Sequence, residues 1–211
     1  RPMAAGDADA VSYIALGTGA VSRAVQDKLR ERISGEDFSV AADGVTDDTL
    51  AMTNALAAAK ASKRPLYLPA GTIKTSAVLD ISGATIIGVA QGYRNADGTI
   101  IEGSGNHDGL SQVTVNADDL HISLQNIRIK NVDWGVKVRY MLHSHWQNVF
   151  ITDSDNGIQF GNSSDSGGLF DRFDNIEVDV TDTALDVNGN QFVNANTFNS
   201  CFFRGGQYGA R

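Results

Sequence analysis

Two acidic residues in the last third of the chain have the type and spacing that acid–base chemistry needs. Glu177 and Asp179 lie two positions apart in an alternating segment, so a β-strand places both on its outer face. Their Cα atoms are then roughly 7 Å apart. Paired carboxylates hydrolyse glycosidic bonds, and this separation leaves room for a water molecule, which favours inversion over retention. The alternative is a solvated strand face whose charges serve solubility.

A second pair of residues fits elimination. His145 and Arg172 occupy equivalent positions of two similar segments, each directly before a large aromatic residue. A histidine can remove a proton next to a sugar carboxylate, and an arginine can stabilise the resulting negative charge. The alternative is two ordinary polar residues on the surface. His143 and His145 share one side of a strand and could bind a metal ion, but packing explains His143 as well, so we predict no metal site.

Aromatic residues on the outer face are candidates for substrate binding. Phe150 and Phe202 occupy outward positions, and Trp134 lies at the edge of a neighbouring strand. Exposed aromatic rings lower solubility unless a sugar ring or a neighbouring subunit covers them. The sequence leaves both possibilities open.

A third acidic group precedes a helical segment. Asp43, Asp47 and Asp48 could hold a metal ion, but they stand directly before an alanine-rich helix at Leu50–Ala61. Thr46 or Asp47 can cap the first free amides of that helix, and carboxylates suit the positive end of the helix dipole. Capping therefore explains these residues without a metal.

The outer-face candidates belong to a repeat that extends from Leu120 to Phe203. One phrase of the repeat occurs at 124–129, 146–151, 173–178 and 198–203, and its third positions (126, 148, 175 and 200) are 22, 27 and 25 residues apart. A second phrase begins at 133, 155 and 182, with the same spacings of 22 and 27. Two phrases with one uneven period indicate one structural unit, stacked several times.

The repeat predicts a parallel β-solenoid. Each phrase alternates apolar with variable positions, and polar turn residues separate the phrases without a return helix. Equivalent residues of successive repeats then stack about 4.8 Å apart. Large apolar residues would form an inner column, namely Leu124, Trp146, Phe173 and Phe198. A polar ladder would form at a bend from Asn126, Asn148 and Asn175, with Ser200 interrupting it.

Composition excludes several kinds of partner. The 211-residue chain carries a net charge of −8 without a basic cluster, so we predict no nucleic acid partner. Its apolar runs are too short to span a bilayer, so we predict no membrane partner. Cys201 is the single cysteine, which excludes an internal disulfide. No signal peptide opens the chain, which starts at Arg1 as a processed or excised piece would.

The N-terminal third contains two predicted helices. Residues 1–19 indicate a linker that ends in a strand-like segment. Ala20–Ile33 places an apolar residue at every fourth position, which predicts a helix that packs against its own domain or self-associates around an axis. The second helix, Leu50–Ala61, stops before Pro65 and would cover the open end of the solenoid.

The same region resembles a known family. Residues 43–49 (Asp-Gly-Val-Thr-Asp-Asp-Thr), the alanine-rich helix and residues 66–71 (Leu-Tyr-Leu-Pro-Ala-Gly) resemble the opening of pectate-lyase-like right-handed β-helix domains. Residues 19–29 resemble the neck that introduces this domain in bacteriophage tailspikes. The lead-in at residues 38–44 departs from the family's usual pattern, since it is shorter by a residue or so.

The resemblance implies an all-β fold, a right-handed parallel β-helix with short N-terminal helices, one of which caps the solenoid. Residues 1–36 would be a linker and neck helix, and residues 37–211 a β-helix domain. The implied protein is a homotrimer in the virion that recognises and depolymerises a bacterial capsule or lipopolysaccharide at the host surface. It would act as a hydrolase or lyase without an organic cofactor, and would join other tail or baseplate proteins through a preceding region. The family has no single catalytic signature to carry over.

Two other functions remain open. The first is a receptor-binding or structural virion module with the same fold and no competent acid–base pair. The second is a cellular β-helix polysaccharide lyase, against which the neck helix and the missing signal peptide argue. The chain stops at Arg211 within the fourth copy of the repeat, so we expect missing repeats to hold part or all of the active groove.

Overall fold

The computed structural model describes residues 11–89, 98–115, 120–161, 167–169, 171–187, 193–194 and 196–210. These residues are mostly β-structure, with helices α1 (Val25–Leu29) and α2 (Thr49–Ser62) and a 3₁₀ helix at Glu36–Phe38. The strands are β1 (Ser12–Ile14), β2 (Ser22–Ala24), β3 (Ile33–Ser34), β4 (Asp43–Asp47), β5 (Leu66–Tyr67), β6 (Gly71–Lys74), β7 (Leu79–Asp80), β8 (Thr85–Ile87), β9 (Thr99–Glu102), β10 (Leu110–Ser111), β11 (Ser123–Lys130), β12 (Trp134–Val138), β13 (Tyr140–Leu142), β14 (His145–Thr152), β15 (Asn156–Phe160), β16 (Gly167–Leu169), β17 (Arg172–Asp179), β18 (Thr183–Val187), β19 (Val193–Asn194), β20 (Thr197–Asn199), β21 (Phe202–Arg204) and β22 (Tyr208–Ala210).

Parallel pairing between successive repeats organises these strands. The largest sheet runs β3-β5-β8-β11-β14-β17-β20, and a second row joined to it runs β4-β6-β9-β11-β14-β17-β21. A separate sheet, called the third sheet below, runs β7-β10-β12-β15-β18-β22, and a small sheet runs β13-β16-β19. The strands β1 and β2 form an antiparallel pair outside these sheets. Each repeat therefore adds one strand to each row, beside the equivalent strand of the preceding repeat, as the shared period of the two phrases predicts.

The three long strands β11, β14 and β17 belong to both rows because each bends at an asparagine. Asn126, Asn148 and Asn175 adopt φ values of 56°, 53° and 55°, a left-handed conformation that asparagine tolerates better than most residues. Asn148 Nδ2 donates to Asn126 Oδ1, and Asn175 Nδ2 donates to Asn148 Oδ1, both at 2.8 Å. Ser200 takes φ 54° at the next position. The predicted asparagine ladder at a bend is confirmed.

The inner column is confirmed as a buried stack for Leu124, Trp146 and Phe173, whereas Phe198, which is aligned with them, is 43% exposed. The strand register aligns Leu124 with Trp146, Phe173 and Phe198. The side chains of Trp146 and Phe173 are 0% and 1% exposed, and their ring centroids lie 5.4 Å apart. Phe198 stacks on Phe173 at 4.6 Å. Trp146 Nε1 donates to the carbonyl of Ile122 at 2.9 Å, so the one polar atom of this ring is satisfied inside the core.

Helix α2 covers the first strands of the largest sheet. It extends the predicted helix by one residue at each end, from Thr49 to Ser62, and buries Met52 and Leu56 completely or nearly so. It packs against β3, β5 and the 3₁₀ helix. Since β3 is the outermost strand of its row, α2 protects an edge that would otherwise offer unpaired backbone groups.

The helix predicted at Ala20–Ile33 is confirmed in its central part only, and its predicted bounds are wrong. Within this range α1 covers Val25–Leu29, while Ser22–Ala24 pairs with β1 and Ile33 pairs with Leu66. Ile33, at the end of the apolar stripe, packs against the core, whereas Val21 and Leu29 remain 70% and 69% exposed, so half of the stripe lies open to solvent. A short isolated helix gains little stability without such burial, because its nucleation cost is not recovered.

Candidate functional site

A surface cleft of about 420 Å³ lies over the C-terminal halves of β11, β14 and β17, the parts that follow the asparagine bend, and against β21. Both carboxylates that the sequence singled out line it. The lining residues are Arg128, Thr152, Asp153, Ser154, Glu177, Asp179, Val180, Thr181 and Arg204. The cleft therefore combines carboxylates, arginines and hydroxyl groups on the outer face of consecutive repeats, which is a composition suited to a polyhydroxylated ligand.

Glu177 and Asp179 share the outer face of β17, as the alternation predicts, but their surroundings differ. Arg204 Nε donates to Asp179 Oδ1 at 2.8 Å, and Arg204 Nη2 pairs with the other oxygen of the same carboxylate. This two-point contact fixes the orientation of Asp179. Glu177 is half-buried, and its carboxylate makes no hydrogen bond or ion pair with the residues that the structure describes. Glu177 is thus the carboxylate with unused hydrogen-bonding capacity.

Arg128 forms the opposite side of the cleft. Its guanidinium donates to Thr152 Oγ1 through Nε at 3.0 Å and through Nη2 at 2.8 Å, and Nη2 lies 3.2 Å from Asp153 Oδ2. Sequence reasoning did not single out Arg128 or Arg204. The register was the available signal, because it aligns Arg128 with Phe150 and Glu177, and Asp179 with Arg204.

His145 and Arg172 are neighbours in the register, as predicted, and a residue that the sequence analysis missed connects them. Asp174 Oδ2 accepts a hydrogen bond from His145 Nε2 at 2.8 Å and from Arg172 Nε at 2.6 Å. Asp174 Oδ1 accepts from Asn199 Nδ2 at 2.9 Å. The Arg172 guanidinium, followed by Asn199, holds the pKa of Asp174 well below its usual range. Asp174 orients the histidine ring, as a carboxylate does in catalytic triads.

The aromatic candidates have different environments. Phe202 is 52% exposed and lies beside Glu177 in the register, so an open ring faces solvent next to the cleft. Phe150 is 9% exposed, so the expectation of an exposed ring at this position is wrong. It occupies the outer row between Arg128 and Glu177, its register neighbours on the two adjacent strands. Trp134 is half-buried, with Lys137 Nζ 5.6 Å from its ring centroid.

The acidic residues before α2 serve the local backbone. Asp47 Oδ1 accepts from the amide of Thr49 at 2.9 Å and so satisfies the first amide of α2. The N-cap position itself is Asp48, whose buried carboxylate accepts instead from the amides of Ala41 and Ala42. The Ser76 hydroxyl, followed by Thr49, lowers the pKa of Asp47 to about 2. Among the residues that the structure describes, no group of three or more His, Cys, Asp or Glu side chains could hold a metal ion.

Comparison with known proteins places the chain in a family. The sequence matches the rhamnogalacturonase A/epimerase, pectate lyase-like family over residues 33–211. The chain belongs to this family. The resemblance to pectate-lyase-like domains that the opening motifs indicated is therefore confirmed. No helix in the described part of this pectate-lyase-like chain is long and apolar enough to cross a bilayer.

One curated relative and one solved structure are similar to this pectate-lyase-like chain. The Mu-like prophage FluMu defective tail fiber protein of Haemophilus influenzae is 34% identical over 172 residues, which cover 82% of this chain and 27% of the relative. The chain thus spans about a quarter of that curated relative. A solved structure, ORF18 of Geobacillus virus E2, superposes with a TM-score of 0.55 at 15% identity, covering 92% of this chain and 49% of the other. At this identity the likeness concerns the fold alone.

Proposed function

We propose that the chain is part of a phage tail protein that binds a bacterial surface polysaccharide and hydrolyses it in the cleft of Glu177 and Asp179. The observation that carries this proposal is the cleft itself, where a carboxylate without a partner among the described residues lies two positions from one that an arginine orients. Similarity to a prophage tail fiber protein supports the location in the virion tail, at the host surface.

The proposed architecture is a right-handed parallel β-helix. Parallel strands that join the same rows repeat after repeat support a solenoid, and right-handed crossover is the rule for parallel connections. In this proposal residues 37–211 form the β-helix domain, and residues 1–36 lead into it as linker and neck. The outer faces of its strands then present side chains in rows, which suit a linear polymer lying across several repeats.

Hydrolysis in this cleft uses the two carboxylates in different roles. Glu177 donates a proton to the glycosidic oxygen, and Asp179, oriented by Arg204, activates a water molecule on the other side of the sugar. Their i, i+2 spacing on one strand leaves room for that water, which corresponds to inversion. The exposed ring of Phe202 offers an apolar surface for a sugar face beside Glu177.

The test is depolymerisation of purified capsular polysaccharides and lipopolysaccharides, followed through the release of reducing ends. We expect Glu177→Gln to lower the rate by about 10²-fold or more, because general acid catalysis contributes about that much. Glu36→Gln, at an exposed acid in the N-terminal 3₁₀ helix, is the matched control and should keep full activity. If the Glu177→Gln variant is as active as the wild type, catalysis in this cleft is contradicted.

A second candidate function is a lyase centred on His145. The hydrogen bond from His145 Nε2 to Asp174 favours it, because an oriented imidazole can act as a base through its other nitrogen. Arg172 would stabilise the developing charge through its terminal nitrogens. Elimination leaves an unsaturated sugar that absorbs ultraviolet light, whereas hydrolysis does not, so the absorbance of the products separates the two functions. Binding without any cleavage would instead indicate a receptor-binding module.

Self-association into a trimer is part of the proposal. Ile14, Val21 and Leu29 are 60%, 70% and 69% exposed, and Leu16 is fully exposed. Several open apolar side chains within one short segment of the chain suit a surface that other chains cover. We expect light scattering to give three times the mass of one chain, and Leu16→Asp combined with Leu29→Asp to shift the mass toward a monomer. A wild-type monomer would contradict this part of the proposal while leaving the cleft untouched.

A further inference from the structure

A second pocket lies on a different face of the molecule, over the outer side of the third sheet. Its volume is about 350 Å³. The register aligns Ser111 with Lys137 and Lys137 with Gln159, so these three side chains form one row across β10, β12 and β15. All three line the pocket. Successive members of the row are spaced by the distance between strands, about 4.8 Å, so one ligand of sugar size can reach two of them.

Apolar side chains form the other part of the pocket lining. Val78 and Val113 are 40% and 55% exposed, and both border the pocket. Val138, which is 2% exposed, continues the apolar lining toward the core. Two open valines around a preformed concavity expose apolar surface that a ligand with a methyl group can cover.

The polar row keeps hydrogen-bonding capacity beside these valines. Lys137 Nζ pairs with the Asp108 carboxylate at 3.1 Å, and Gln159 Nε2 donates to Asp186 Oδ2 at 3.0 Å. These contacts leave the Gln159 carbonyl oxygen and further protons of Lys137 for a ligand. Ser111 Oγ lies within the wall and makes no hydrogen bond with the described residues. Buried polar groups are normally satisfied, so this hydroxyl is an unusual feature of the pocket wall.

The backbone below the pocket is held rigidly by one side chain. Gln112 is 3% exposed; its Oε1 accepts from the amides of Arg139 and Tyr140, and its Nε2 donates to the carbonyl of Tyr140 at 2.8 Å. These bonds join two successive repeats beside the pocket. The cavity therefore exists before any ligand arrives, which lowers the entropic cost of binding.

We propose that this pocket binds one saccharide unit that carries a methyl-bearing substituent, and that it holds the polysaccharide on a face separate from the cleft. The methyl group packs between Val78 and Val113, while ring hydroxyls bond to Lys137 and Gln159. An acetamido group and the C6 methyl of a 6-deoxyhexose supply the same methyl chemistry. The inference rests on the proposed function, because it assigns this chain a second contact with the same polymer.

The test is saturation-transfer NMR with the methyl glycosides of N-acetylglucosamine, rhamnose and glucose. We expect transfer to be strongest at the acetamido or C6 methyl protons, and glucose, which lacks both groups, to bind more weakly. Whether N-acetylglucosamine or rhamnose binds more tightly identifies the source of the methyl group. Val113→Lys should weaken binding about tenfold, because a charged side chain replaces the apolar wall.

Val45→Lys is the matched control, since Val45 is 85% exposed and lies far along the chain from the pocket lining. It should bind the glycosides like the wild type. The inference is overturned if none of the methyl-bearing glycosides binds, or if Val113→Lys binds them as well as the wild type does. Glu177→Gln should bind them unchanged, so loss of hydrolysis and loss of this binding are measured separately. If the cleft proposal fails, hydrolysis does not depend on Glu177 while glycoside binding in this pocket is still observed.

Discussion

The inner and outer sides of the strands β14 and β17 differ in how far their residue types repeat from one strand to the next. On the inner side, Trp146 and Phe173 follow each other in one column, and both are almost completely buried. On the outer side, the row that contains Phe150 and Glu177 changes from an aromatic ring to a carboxylate between neighbouring repeats. The inner side repeats one type of residue, whereas the outer side varies.

The difference shows how this architecture separates stability from chemistry. Inner positions need large apolar side chains that stack on the repeat below, because apolar burial is the main stabilising contribution. Outer positions contact solvent and can change type at little cost to the fold. Asn148 lies where the strand passes from one row to the other, and its ladder holds both sides in register. Replacements at the two sides should therefore have separable effects.

The largest effect should come from the inner column. We expect Trp146→Ala to lower the free energy of unfolding by about 3–5 kcal/mol, because it leaves a cavity and removes the contact with Phe173. The hydrogen bond to the carbonyl of Ile122 is lost as well. Urea denaturation measures the change. Gln147→Ala, at the exposed neighbouring position, is the control and should change stability by less than about 0.5 kcal/mol. Equal effects at both positions would contradict the comparison.

The next largest effect should come from the asparagine ladder. Asn148→Ala removes two hydrogen bonds and places alanine at φ 53°, so we expect a loss of about 1–3 kcal/mol. Asn148→Gly removes the same bonds without the backbone strain, and should be less destabilising than alanine. Thermal denaturation of the two variants separates the ladder from the conformation. If glycine costs as much as alanine, the hydrogen bonds alone account for the effect.

A smaller effect, present at neutral pH and lost in acid, should come from Asp174 on the outer side. Its pKa lies below the usual value, so its ionised form stabilises the fold above about pH 4, and this contribution is lost as the pH falls through the folded pKa. We expect Asp174→Asn to be less stable than wild type at neutral pH, with the gap closing in acid. Melting temperatures measured as a function of pH test this. A gap that stays constant with pH would exclude the ion pair as its cause.

The smallest effect should come from Asp171, and it should have the opposite sign. Burial raises the pKa of this carboxyl, which accepts from the amide of Ser144 at 2.8 Å through one oxygen. A raised pKa means that ionisation costs stability as the pH rises above the unfolded value of about 4. Asp171→Asn keeps an acceptor for Ser144 and removes the charge. We expect its melting temperature to rise by roughly 1–3 °C at pH 7, and the gain to vanish in acid.

Much of the fold could be predicted from the sequence, because a repeated local pattern also shows which distant residues align with one another. A strand alternates its faces, and a recurring phrase states which residues of successive strands align. The inner column through Trp146 and the ladder through Asn148 followed from those two facts. The length of the helix predicted at Ala20–Ile33 could not be obtained in this way. Four-residue periodicity shows an apolar stripe, but it does not show whether another element packs on that stripe.

The candidate site was predicted in part for the same reason. Glu177 and Asp179 were identified by alternation along one strand, and His145 and Arg172 by the period. The partners Asp174, Arg128 and Arg204 were missed, although their positions in the register could have shown their proximity. The burial of Phe150, which is 9% exposed, depends on side-chain conformations in its surroundings, which periodicity does not encode.

The amino-acid sequence by itself determined the stacked parallel strands, the identity of the inner column and the side of the strand on which each carboxylate lies. These follow from alternation and spacing, which are properties of the backbone. The tertiary structure alone decided which outer side chains meet, so that Arg204 orients Asp179 while Glu177 keeps its capacity within the described chain. It also placed Val78 and Val113 around one pocket. The physical reason is that side-chain contacts between repeats depend on rotamers and loop paths, which many sequences with the same period could arrange differently.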